Sequence, residues 1–469
     1  ILTGQDALGE KRFRIPIGDA RGRPNSFSRL NNPYSGPPMS NVSTNGGLLV
    51  LSMSNQIVAI DTLRGGDSGS NRILWTQDLS DQYSGFATSP SVFSRPIPLV
   101  WGGTRFVPED NLGRRYGTIG PVSDRGVYFQ RSRDLYCLDP LTGKISWTRK
   151  NVGLGNQLFG DQELLLVAPP GDADTLVLRA GTGELLGTRR VASFEKRMTT
   201  VGRAVLTWEQ QAADFALQLR DPWKNETLWS YTFPAGAKAA LVGQEAVGVL
   251  KPDGDFTLIT LGNGKPLVHE QVVAENALSA IQLLRTDDRY LLITNSGLRN
   301  EQNLNVQPLP SSGNASFVNG RVYAFAADTG RKLWPAPAVV SQYFLLSAQP
   351  NLLPVLVFAR QVSRAGPPPS RDNKTSVLCI DKRSGKVVYE NDQLPPPTLA
   401  ATEVTGDPEA HTITFTVAQK TIELAFSDRA PAPAAPAVHG PALGNPQPAK
   451  KSSPPASEAP RPSDVPDPQ

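Results

Sequence analysis

Leu135-Tyr-Cys-Leu-Asp139-Pro-Leu-Thr142-Gly143-Lys-Ile-Ser-Trp147 is the stretch that decides the fold. Its opening residues alternate, which puts one side of a strand into a core and the other outside. Asp139 is placed to accept hydrogen bonds from a turn backbone, and Gly143 to take the positive φ that a tight hairpin needs. Trp147 closes the second strand with a large apolar surface for the next unit. The phrase recurs in Val322 to Trp334, with Asp328-Thr329-Gly330, and in Val377 to Tyr389, with Asp381 and Ser384-Gly385. Weaker copies run over Leu176 to Gly187, Leu217 to Trp229 and Phe256 to Val268. In the first copy, Ile57 to Asp61 reaches Trp75 after a Gly/Ser-rich insertion.

A further apolar strand precedes each copy: Gly47–Leu51, Arg125–Phe129, Glu163–Val167, Ala204–Trp208, Ala246–Leu250, Tyr290–Thr294 and Pro354–Phe358. The mid-chain spacing of about 40 residues is the period of a four-stranded blade. The chain therefore reads as an all-β, eight-bladed β-propeller with four-stranded antiparallel blades, a seven-bladed ring being the alternative. The eighth unit is a hairpin, His411 to Val417 with Lys420 to Phe426, that lacks the Thr-Gly turn and following strand. An incomplete blade leaves an exposed sheet edge. The N-terminal strand Arg12–Ile17 is expected to close it, giving a propeller over 1–429.

Composition fits such a chain. Of 469 residues, 39% are apolar, and Gly (41) and Pro (42) supply frequent turns. No apolar run reaches 18 residues, so no membrane-spanning helix is expected. The net charge of +4 is too small to argue for nucleic acid. The Arg-rich stretch between Arg105 and Arg133 reads as a solvated loop face. The sequence begins at Ile1 and is expected to be a processed protein or a piece of a longer one. The four Asn-x-Ser/Thr sequences, at Asn41, Asn225, Asn314 and Asn373, carry no weight without a secretory context.

Three segments break the period: 81–121, 295–319 and 360–375. Strands in a propeller are committed to packing, so these insertions are the expected contact sites for a protein or polymer partner. Residues 430–469 are different. Twelve of the 39 residues from Pro431 onward are Pro, with Ala and Ser between, so a disordered tail is expected.

The repeated phrase resembles the PQQ repeat, the tryptophan-docking motif of bacterial quinoprotein propellers, over roughly residues 40–427. One branch holding this repeat comprises quinoprotein alcohol and glucose dehydrogenases. The other is non-catalytic and is typified by the outer-membrane assembly lipoprotein of the Bam complex, whose loops meet protein partners. The dehydrogenase branch implies a vicinal Cys-Cys ring, a Ca²⁺ site of Glu, Asn and Asp, and an Asp base. Here Cys137 and Cys379 stand alone, and Asp61, Asp139, Asp221 and Asp381 are accounted for by turns. No loop concentrates the carboxylates that a hard cation needs. His269, His411 and His439 have no metal-ligand spacing, and Gly65-Gly66 and Gly102-Gly103 lack a P-loop ending.

No catalytic, cofactor or metal residue is assigned. The resemblance implies a monomeric, non-catalytic scaffold of the periplasm or cell envelope. A quinoprotein oxidoreductase with an atypical site, and a sensor or sugar-recognition propeller of a larger protein, are the alternatives.

Overall fold

The computed structural model describes, apart from short breaks, residues 39–64, 72–78, 119–297, 305–309, 316–364, 372–394 and 403–425, with further strands at 2–5, 11–15, 93–98 and 104–109. The chain divides into Ile1–Phe426 and Ser427–Gln469. The expected Pro-rich tail lies outside the described residues.

Within Ile1–Phe426 the architecture is all-β, of propeller type, built from repeated antiparallel blades in which each strand pairs with the next in sequence. The first five blades are four-stranded. They start at Met39, Ile119, Gln157, Arg197 and Lys238 and end at Asp78, Arg149, Arg189, Pro234 and Gln271. First strands approach one another between blades one and two, two and three, three and four, and five and six. The second strands are buried along almost their whole length, as in Leu164–Ala168 and Ala246–Leu250. A strand covered on both faces by neighbouring blades needs a continuous apolar run, and Leu-Leu-Leu-Val-Ala and Ala-Val-Gly-Val-Leu supply one. Fourth strands such as Ile145–Arg149 are mostly exposed.

Blades six and seven depart from the expected pattern. The third strand of blade six, Ser316–Ala326, keeps only a short fourth-strand partner, a bridge from Phe325 to Lys332. It then pairs with Ala338–Leu345, the first strand of blade seven, from Val322↔Ala338 to Ser316↔Leu345. That shared strand joins Val355–Arg364 at Phe344↔Ala359 and Leu345↔Phe358, so the two blades form one continuous sheet. The turn also differs from its sequence reading. Ala326, not Asp328, takes the position of Asp139: Ala326 N–H donates to Arg331 O and Gly330 N–H to Ala326 O, both at 2.9 Å.

Blade eight has three strands in the described residues, Glu403–Asp407, Thr412–Val417 and Lys420–Ala425. The segment expected to complete it forms a strand at Lys11–Ile15 that pairs with Leu2–Gln5 in a sheet of two. Closure of the last blade by residues 1–20 stands as a proposal. Deleting them should lower the melting temperature and solubility.

The repeat turns form as the sequence dictates. Asp139 Oδ1 accepts from Leu141 N (3.1 Å), Thr142 N (2.7 Å) and Thr142 Oγ1 (2.8 Å), and the Thr142 bonds hold its carboxyl below the usual range. Asp61, Asp221 and Asp381 accept equivalent backbone bonds.

Each closing tryptophan docks on the turn of the next blade. The indole Nε1 of Trp75, Trp147, Trp229 and Trp334 donates to Pro140 O (2.9 Å), Ala180 O (3.0 Å), Leu261 O (2.9 Å) and Lys382 O (3.1 Å). Every acceptor stands one residue past the first turn residue. The ring lies on the turn glycine. A methyl group added to Gly143, Gly183, Gly264 or Gly385 would sit 2.6–2.7 Å from a ring atom, and all four have φ between +67° and +71°. Glycine is thus needed twice over, for the left-handed backbone and for the room.

Candidate functional site

The antiparallel order gives every blade two distinct ends. One end carries the hairpin between strands one and two and the Asp-Gly turn between strands three and four. The other carries the loop between strands two and three and the link to the next blade. All three segments expected as insertions leave from this second, linking end. Residues 81–118 link blade one to blade two. Residues 297–315 join strands two and three of blade six. Residues 365–371 do the same in blade seven.

Some of the expected loop residues form strands. Ile119–Ser123 is the first strand of blade two, and Phe93–Pro98 pairs with Thr104–Glu109 in a hairpin within the first insertion. The remainder of 81–118 lies outside the described residues. The third insertion is largely a ladder, since pairing continues from Ala359↔Val377 out to Arg364↔Asp372. The second insertion joins it there. Asn305–Gln307 pairs antiparallel with Gln361–Ser363. Paired residues more than 50 apart in sequence therefore join two insertions in one three-stranded extension. Apolar alternation alone does not encode such long-range pairing, which is why no sequence signal announces it.

The roots of this extension are polar and closely bonded. Glu275, on the link entering blade six, is buried. Its Oε1 accepts from Thr294 Oγ1 (2.7 Å) and Arg321 Nη1 (2.9 Å). Thr294 and Arg321 flank the second insertion, so one carboxylate holds both of its stems. Asn295 Nδ2 donates to Phe317 O and Asn319 N–H to Asn295 Oδ1, each at 2.7 Å. Arg360 stacks on Tyr343, with its guanidinium carbon 4.2 Å from the ring centroid, and donates to Ser341 O at 3.0 Å. Phe317 is 42% exposed and meets Phe344 edge-on at 5.3 Å. Rigid roots, a half-exposed aromatic and an arginine held flat are what a protein-binding surface uses.

Chemically reactive residues are dispersed. Cys137 and Cys379 are free thiols buried in separate cores, and burial pushes both up to about 12. His269 is exposed, with Nδ1 3.1 Å from Thr257 Oγ1. His411 lies in a hairpin turn at φ +51°, and His439 lies outside the described residues. Among the described residues, no three His, Cys, Asp or Glu side chains come together as metal ligands. No helix among them is long and apolar enough to cross a membrane.

Fold and site together define an all-β repeat protein of propeller type with an elaborated linking end. No family model and no curated protein matches the chain. Among solved structures, it is similar to BamB from Moraxella catarrhalis at 11% identity, over 84% of this chain and 95% of that one, with a TM-score of 0.33. It is similar to the dihydro-heme d1 dehydrogenase NirN in complex with DHE at 13% identity, over 82% and 70%, with a TM-score of 0.32. Kluyveromyces lactis Hsv2 matches at 8% identity, over 76% and 99%, with a TM-score of 0.32. Likenesses this distant do not bear on what the chain does.

Proposed function

We propose that the chain is a non-catalytic scaffold that holds a protein partner on the linking end of its blades. The observation that carries this reading is the joining of two insertions, Asn305–Gln307 against Gln361–Ser363, on the end from which the third also leaves. The polar roots at Glu275, Asn295 and Arg360 support it, because a preorganised surface loses less entropy on binding. Phe317 is the proposed aromatic anchor. The resemblance of the repeat phrase to the non-catalytic quinoprotein-like branch favours the periplasm or cell envelope as the place of action.

Affinity capture tests the reading. The intact chain is compared with variants in which 298–304 and 310–315, or 365–371, are shortened to tight turns, and with Phe317→Ala. Partners retained by the intact chain should be lost from the shortened variants and weakened about tenfold by Phe317→Ala, the scale of a hot-spot aromatic. An identical set of partners on all variants would remove the linking end from the proposal.

A further inference from the structure

The turn end of the blades carries a different kind of site. Arginines of the chain bridge several inter-blade junctions there. Arg203, in the first hairpin of blade four, reaches Asp161 (3.4 Å) and Glu163 (3.2 Å) of blade three and bonds Asp221 of its own turn through Nε at 3.0 Å. Burial disfavours its charge, but the three carboxylates outweigh that and hold it more firmly protonated. Arg285 of blade six pairs with Glu245 of blade five. Arg289 of blade six donates to Lys382 O in the turn of blade seven at 2.5 Å.

The junction of blades one and two is built otherwise. A groove of about 440 Å³ opens between them, lined by the first hairpins and the Asp turns of both blades. Leu48, Leu74 and Leu141 form its apolar walls, and Asp61, Asp124 and Asn45 its polar rim. No Lys or Arg is among the described residues that line it. Asp61 Oδ1 accepts from the backbone of Leu63 and Arg64, and Asp124 Oδ1 from Asn45 Nδ2 at 2.9 Å, so both carboxylates are held in place. The volume suits a small ligand or one long side chain.

We infer that this groove is a socket for an arginine side chain supplied by a partner protein, doing at the junction of blades one and two what Arg203 does at the junction of blades three and four. Two carboxylates complement the guanidinium, and leucine walls complement its aliphatic stem, which buries readily while the head stays polar. The socket faces away from the linking end, so it stands whether or not the insertions bind a partner.

The test uses the full chain and N-acetyl-arginine amide, with N-acetyl-citrulline amide as the neutral isostere and N-acetyl-lysine amide as the point-charge control. Binding is followed by calorimetry and by resonances of the lining leucine methyls. The arginine probe should bind saturably and shift the Leu48, Leu74 and Leu141 methyls. The citrulline probe should bind about fivefold or more weakly, as loss of one partly exposed ion pair implies. Asp124→Asn should reduce arginine binding by a similar factor without lowering the melting temperature. Ser123→Arg, which sets a basic side chain at the rim, should block it. Equal binding of arginine and citrulline, shifts elsewhere on the surface, or no effect of both substitutions would overturn the inference.

Discussion

The junction between blades two and three and the junction between blades three and four solve one packing problem in opposite ways. At the first, Trp147 comes from the closing strand and lies on Gly183 of the next turn. At the second, the closing strand offers Gly187 where a tryptophan stands elsewhere, and the turn supplies Trp223. Arg189 then covers Trp223, 4.3 Å from its ring, and donates through Nε to Trp223 O at 3.1 Å. With no indole pressing on it, the turn no longer needs glycine. Asn225 takes the left-handed position at φ +56°. The aromatic surface has moved from one side of the interface to the other, and the glycine has moved with it. At these two junctions the large ring comes from opposite sides, so docking does not need a tryptophan at a fixed place; at the junction of blades five and six the turn glycine, Gly330, meets the backbone of Leu267 instead.

Substitutions can break or sharpen that contrast. The largest loss is expected from Trp147→Ala, about 3–5 kcal/mol, since it removes a packed indole and one of the two hydrogen bonds to Ala180 O, leaving that of the Tyr128 hydroxyl; chemical denaturation measures it. Gly183→Asn imports the residue of the other junction. Asn tolerates the backbone, so its cost of about 1–3 kcal/mol reports the clash with the Trp147 ring. The converse, Asn225→Gly, should change stability by less than about 1 kcal/mol. In a Trp147→Ala background Gly183→Asn should become nearly neutral, and a cost that persists there would show that the ring is not the cause.

A pH-dependent effect separates the tryptophan junctions. Lys382 supplies the carbonyl that receives Trp334, and its side chain is buried. Burial, with Arg289 nearby, pulls its amine down to about 8 from an ordinary 10.5. Between those values the unfolded chain holds a proton that the folded chain has lost, so this residue makes stability rise with pH. Lys382→Met should raise stability at pH 7 by about 1–3 kcal/mol and flatten the rise between pH 8 and 10. Trp223→Ala should lose about 1 kcal/mol beyond its lost area, for the interaction with Arg189. Melting temperatures at low and high salt would show that contribution shrinking as salt rises.

The blades were legible because their phrase is local. Asp139, Gly143 and Trp147 lie within nine residues, and each does in the structure what its chemistry suggests. The exchange at Gly187 and Trp223 was also written in the sequence, as a missing tryptophan eight residues after Arg179 and a glycine replaced by Asn225. It shows only when two weak copies are set against each other. The merger of blades six and seven was not legible, because Ala338–Leu345 has the alternation of any strand and nothing in it names a partner. The linking-end site was legible as insertions and not as an assembly. Sequence length marks where a segment leaves the period, whereas the pairing of Val306 with Val362 depends on where both ladders end.

The strand Ala338–Leu345 has a mechanical consequence. Blades joined only by docked side chains can detach singly, each release adding one repeat of slack. Blades six and seven share backbone hydrogen bonds along that strand, so neither can leave while the other stays whole. Stretched from its ends, the chain should give way in steps of one blade, except for a single step twice as long.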